Sequence, residues 1–188
     1  MRLRPVRALL LATGALAIAA TLASGQTADA NAGPHVRGAH VDEALLLDEL
    51  LARSQTARDL MERLDRSDLL IYISFRWFST QTLQGRIGFL APDRHPRLLA
   101  IEIDCRRNRI DQLVSLAHEL RHAVEIAGAP SVWDARSLAA LYTSIGSMTG
   151  YGAGAETFET IEAAETGHRV RAELNSPAQA ADANNIRH

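Results

Sequence analysis

Residues 109–127 read RIDQLVSLAHELRHAVEIA. Leu113, Leu116, Ala117, Leu120, Val124 and Ala127 recur every three or four positions, which predicts a helix with a broad apolar face. Gly128-Ala129-Pro130 ends it, because proline cannot continue the hydrogen-bond ladder. Just upstream, residues 98–104 read LLAIEID, where Leu99, Ile101 and Ile103 alternate with Ala100, Glu102 and Asp104. That is a strand with one buried side. A one-sided strand followed by a one-sided helix predicts a sheet with a helix packed against it.

Moving outward, residues 69–78 alternate Ile71, Ile73, Phe75 and Trp77 with Tyr72, Ser74, Arg76 and Phe78, a second strand. A third is expected at 83–89, where Gly85 and Gly88 suggest bends or a close backbone approach. Before the strands, 41–51 is a helix with Leu45, Leu46 and Leu50 on one face. Ser54 can cap another that carries Ala57, Leu60, Met61 and Leu64. After residue 130, Asp134 can cap a helix with Leu138, Leu141, Tyr142 and Ile145. Residues 146–154 read as a glycine-containing loop and 156–174 as a last helix. The order of helices, small sheet, then helices predicts one α+β domain spanning 41–175. A flexible lead-in occupies 31–40 and a disordered tail 176–188.

Within the first-quoted helix, His118-Glu119-Leu120-Arg121-His122 places two imidazoles four residues apart, so both can meet one ion. Imidazole suits zinc, and the intervening glutamate can take a proton from activated water. A third ligand is needed. Glu159 is the only acid on the stripe Glu159, Ala163, Thr166, Val170, Leu174 of the last helix. A carboxylate on a packed face is costly unless paired or metal-bound. Glu159 is therefore the expected ligand, with Glu156 and Glu162 as alternatives, and the last helix should pack antiparallel to the first-quoted one. Glu125, Asp104 and Glu162 are candidate acceptors for the far side of the ligand imidazoles, with Glu125 too far along the helix to be a ligand itself. Glu119 is the expected general base. Tyr151, then Tyr142, are candidate oxyanion donors, with packing as the competing role for both. His168 reads as a surface residue. The strand ending at Asp104 could be an edge that accepts an extended peptide through backbone hydrogen bonds.

Arg2, Arg4 and Arg7 precede an uncharged stretch with an apolar centre at 9–23, and Ala28-Asp29-Ala30 offers small residues for cleavage. This is the layout of an export signal over 1–30, cut near Gly25 or Ala30. The apolar centre falls short of the roughly 20 residues that span a bilayer, so a periplasmic or secreted product without stable membrane insertion is expected. Its removal takes away three arginines and one aspartate and moves the formal net charge from −2 to −4. Excess acid argues against general nucleic-acid binding. Cys105 is the only cysteine, which excludes an intrachain disulfide and favours a buried thiol. All 20 basic residues are arginine, a bias with no functional account.

Across 98–127, Phe158-Glu159-Thr160 and the helix to Leu174, the chain resembles the zincin-type metallopeptidases of the glutamate-ligand branch. It is also similar to small exported bacterial proteins with a His-Glu-Leu-x-His-Ala run after a strand. The resemblance implies a zincin-like fold, zinc as cofactor, Glu119 as base, and Glu159 as ligand beside His118 and His122. The chain departs from the usual Glu-x-x-x-Asp, since Ala163 stands where the aspartate would be, and no Gly-x-x-His follows His122. The expected function is a zinc-dependent hydrolase, foremost a peptidase acting on extended peptide. The alternative is a non-catalytic, zinc-stabilised envelope binding or structural protein.

Overall fold

The computed structural model describes residues 34–79, 82–91, 95–152 and 155–176; the expected export segment and all of the expected tail after residue 176 lie outside them. The chain runs β1 (Val36–Gly38), α1 (Val41–Arg53), α2 (Gln55–Leu64), β2 (Leu69–Arg76), β3 (Gly85–Ala91) and β4 (Arg97–Asp104). It continues through α3 (Arg109–Ala127), α4 (Ala135–Ile145), β5 (Ser147–Gly152), β6 (Ala155–Glu159) and α5 (Ile161–Leu174). This is a single α+β domain, as the element order of the sequence implies.

The main sheet has the order β1-β2-β4-β3. β1 and β4 both pair parallel to β2, and β3 is added antiparallel to β4. The register aligns Ile71 with Leu99 and Ile73 with Ile101, and all four are buried. Their alternating partners Tyr72, Ser74, Ala100 and Glu102 are only half-buried, so the sheet has one closed face and one partly open face. Leu113, Leu116, Ala117, Leu120 and Val124 of α3 join the same core cluster as those strand residues. Each large aliphatic side chain buried in this way contributes about 1.5–3 kcal/mol.

Ion pairs and caps hold the helices around α3. Arg109 bonds Glu49 of α1 at 2.7 Å. At the far end of α5, Glu173 accepts from the Thr56 hydroxyl of α2 at 2.7 Å. Arg171 of α5 reaches Asp111 of α3 at 2.7 Å, while Thr160 before α5 reaches Glu125 near the end of α3 at 2.8 Å. Those two contacts make α5 antiparallel to α3, as expected. Gly167 lies on this interface, where a Cβ would make an ordinary contact 3.6 Å from Val114 Cγ1.

Several expectations are corrected. The lead-in contains β1, and Gly38 at its end is needed because a Cβ would lie 2.2 Å from the Ala44 backbone nitrogen. Strand β4 is interior; β3 is the edge next to it. The alternation of the second strand stops at Arg76, leaving Trp77 71% exposed and Phe78 buried. The thiol of Cys105 is exposed in the turn after β4. Most consequentially, 147–159 is neither loop nor helix but the hairpin β5–β6, and α5 begins only at Ile161. Thr160 sets that boundary, its hydroxyl accepting from the Ala163 backbone N–H at 3.1 Å as an N-cap.

Candidate metal centre

Helix α3 carries the motif at its middle. Its first turn is capped by Asn108, whose side chain accepts from Asp111 N–H, and its apolar stripe is locked on the sheet. The polar residues on that helix are thereby fixed in direction. His122 is buried and His118 half-buried, with Nε2 atoms facing each other at 3.1 Å. Glu159, the last residue of β6, brings Oε1 to 3.5 Å from His118 Nε2 and 4.0 Å from His122 Nε2. Among the described residues, these three form a cluster able to hold a metal ion.

The route by which Glu159 arrives differs from the expected helix stripe. It pairs with Ser147 across the hairpin, directly after α4. Gly146 makes the junction possible, since a Cβ there would stand 2.9 Å from the Glu159 carbonyl oxygen and 3.0 Å from that of Tyr142. The same residue is thus delivered by a strand end rather than by a helix face.

The imidazole of His122 is held from behind. His122 Nδ1 bonds Glu125 Oε2 at 2.8 Å, and the Thr160 hydroxyl donates to Glu125 Oε1 at 2.8 Å. Arg121 Nε lies 3.5 Å from that same oxygen. The backbone of Ala163, in the first turn of α5, favours the charged form of His118 but is outweighed by burial. Glu125 therefore fills the acceptor role the sequence allowed it. Asp104 instead binds Arg106 and Arg107 in the turn after β4. Glu162 is exposed in the first turn of α5, and the side chain of Glu156 lies outside the described residues.

The electrostatics divide the cluster. Burial pushes His118 down to about 4, with the charge of His122 adding to the shift. That keeps His118 a neutral, lone-pair-bearing imidazole. Burial also works against the charge on His122, but the bonded Glu125 carboxylate and the charges of Glu119 and Glu159 outweigh it and leave His122 raised. Burial tends to raise Glu125 too; the bond and charge of His122, the Thr160 hydroxyl and Arg121 together hold it below its ordinary value. Glu159 is raised, chiefly by burial.

Glu119 is different from all of these. It is only 6% exposed, and burial pushes it up to about 7. None of the described residues makes a hydrogen bond to its carboxylate. Gly85, the first residue of edge strand β3, passes directly over it: a Cβ there would lie 2.8 Å from Glu119 Oε1. The close backbone approach expected of Gly85 is met here, whereas a Cβ on Gly88 would meet nothing within 4 Å.

The tyrosines separate. Tyr142 is buried, its hydroxyl donates to the His122 carbonyl at 3.4 Å, and its ring sits 5.1 Å from the His122 ring. It packs behind the cluster rather than in front of it. Tyr151 lies in β5, and its side chain is outside the described residues. His168 is exposed on α5. Thr160 is the participant that the sequence reading passed over; its signal was the Thr-x-x-Ala spacing of an N-cap immediately after Glu159. A separate cavity of about 310 Å³, lined by Asp42, Leu45, Phe75, Cys105, Arg109 and Gln112, includes none of the cluster residues.

The donor set fits zinc. Tetrahedral ligands at about 2.0–2.1 Å stand roughly 3.3 Å from one another, and the three observed separations bracket that value. Comparison with protein-family models, with curated proteins and with solved structures finds no match to this chain. Geometry and chemistry alone carry the functional reading.

Proposed function

We propose that this chain is an exported zinc-dependent hydrolase of amide bonds, foremost a peptidase, with His118, His122 and Glu159 as metal ligands. The observation that carries the reading is the convergence of those three side chains beside a buried glutamate with no hydrogen-bond partner among the described residues. When bound, zinc supplies a Lewis acid that acidifies water and polarises a carbonyl.

Glu119 acts as the general base. Its elevated affinity for a proton, near neutrality, suits it to take one from the attacking water. Oxygen bonds to the carbonyl carbon, the proton passes to Glu119, and Glu119 returns it to the amide nitrogen as the C–N bond breaks. Tyr151 is the proposed oxyanion donor, because Tyr142 is already committed to the His122 carbonyl. An extended peptide would pair along β3, which is an edge strand and starts over Glu119. Residues 1–30 are the proposed export signal. No helix of the described residues is long and apolar enough to cross a membrane.

The test is hydrolysis of a broad peptide and casein panel by wild type and Glu119→Gln, each with its zinc content measured. The expected result is that both hold zinc and only wild type hydrolyses. Zinc bound by wild type without turnover on any substrate would favour the non-catalytic envelope protein. Activity surviving in Glu119→Gln would overturn the mechanism.

A further inference from the structure

An imidazole has two nitrogens, and the partner of one decides the direction and tautomer of the other. In this site the far-side partner of His122 traces back to one short segment. His122 bonds Glu125, whose other oxygen is held by Thr160. Glu159 is the residue immediately before Thr160. Two of the three candidate ligands, His122 and Glu159, are therefore referenced to residues 159–160, where β6 ends and α5 begins.

We propose that Thr160 is a positioning residue for the metal site, acting through Glu125 on His122, so that metal affinity depends on how the start of α5 docks on α3. The inference rests on the zinc reading above. The hydroxyl of Thr160 does two things at once. It donates to Glu125 Oε1 at 2.8 Å and accepts from Ala163 N–H at 3.1 Å. A hydroxyl has one donor and two acceptor positions, so the two bonds do not compete. The residue is 1% exposed, which leaves no water to replace either bond. This arrangement also accounts for the missing aspartate four residues after Glu159. The carboxylate that orients a ligand imidazole comes from α3 itself, three residues after His122, and α5 contributes the hydroxyl that aims it.

Substitutions can separate the two bonds. Serine keeps both. Aspartate caps a helix as well as threonine does but has no proton to give Glu125. Glu125→Gln leaves the cap untouched and replaces the charged acceptor of His122 by a neutral, weaker one. The full chain, freed of metal by chelator, would be titrated with zinc in competition with a chromophoric chelator. The same proteins loaded with cobalt(II) would be compared by visible absorption, which reports ligand geometry rather than overall folding. Circular dichroism of the metal-free proteins checks the fold.

Thr160→Ser should match wild type. Thr160→Asp and Glu125→Gln should bind zinc about 10–100-fold more weakly, with an altered cobalt spectrum and unchanged metal-free helix content. Should Thr160→Asp not fold, Glu125→Gln and Thr160→Ser still decide the matter. Wild-type affinity and spectrum in folded Glu125→Gln would overturn the positioning role while leaving the zinc site standing. Failure of wild type itself to bind zinc would overturn the zinc reading and this inference with it.

Discussion

Helix α3 serves two buried polar clusters, one at its C-terminal end and one at its middle, and they are satisfied in opposite ways. At the end, Arg97 of β4 is 1% exposed, yet every direction of its guanidinium is answered. It grips both oxygens of Asp68 at 2.8 and 2.6 Å and donates to the carbonyls of Ile126, Ala129 and Val132, each at 3.0 Å. Carbonyls at a helix C-terminus lack partners within the helix, and a cation there also favours the helix dipole. At the middle, His118, His122 and Glu159 turn their donor atoms toward one another, and Glu119 has no hydrogen bond from any described residue. A charge completed by its own protein holds the fold together. A set of donor atoms left facing a common point is arranged for something else to enter.

The largest effect is expected at Glu119. Removing a general base typically costs 10²–10⁴-fold in rate, so Glu119→Gln should lose turnover on that scale in a steady-state assay. Because burial disfavours its charge, the same change should leave thermal stability equal or improved. Next, Arg97→Met should destabilise the fold by about 1–3 kcal/mol, because the buried carbonyls it serves lose their donor. Urea unfolding would show this loss, and the folded fraction should keep its full zinc content. Lost zinc content at normal stability would erase the distinction between the clusters.

A smaller effect is expected at Gly85→Ala. The added methyl would crowd Glu119 Oε1 from 2.8 Å, so zinc content should hold while kcat falls about tenfold through misplacement of the base. The smallest concerns acid. The hydrogen bond and charge of Arg97 outweigh partial burial and hold Asp68 below its ordinary value of 3.8. A depressed carboxylate adds stability that is present above 3.8 and is lost as pH falls through the lower folded value. Unfolding measured from pH 5 downward should therefore be steeper for wild type than for Asp68→Asn.

Much of this was legible from residues alone, for identifiable reasons. The strands β2 and β4 and helix α3 bury one side each, so their periodicity is strong. The i,i+4 histidines follow directly from helix geometry. What was hidden depended on pairing at a distance. Residues 147–159 carry glycines that weaken any periodic signal, and only their register against each other makes them a hairpin. The expected stripe Ala163, Thr166, Val170 and Leu174 does form the buried face of α5, but Glu159 lies before that helix, at the end of β6, and reaches the cluster from there. β1 is three residues long and stable only beside β2. Gly85 and Thr160 reveal their roles only once the neighbour each one touches is known.

The central claim is that His118, His122 and Glu159 together hold one metal ion. Calorimetric titration of zinc into chelator-treated full chain, for wild type and Glu159→Ala, tests it most directly. The account predicts one saturable site per chain in wild type and a severe loss of affinity in the variant. A wild type that binds no zinc, or a Glu159→Ala protein that binds it as tightly, would contradict it.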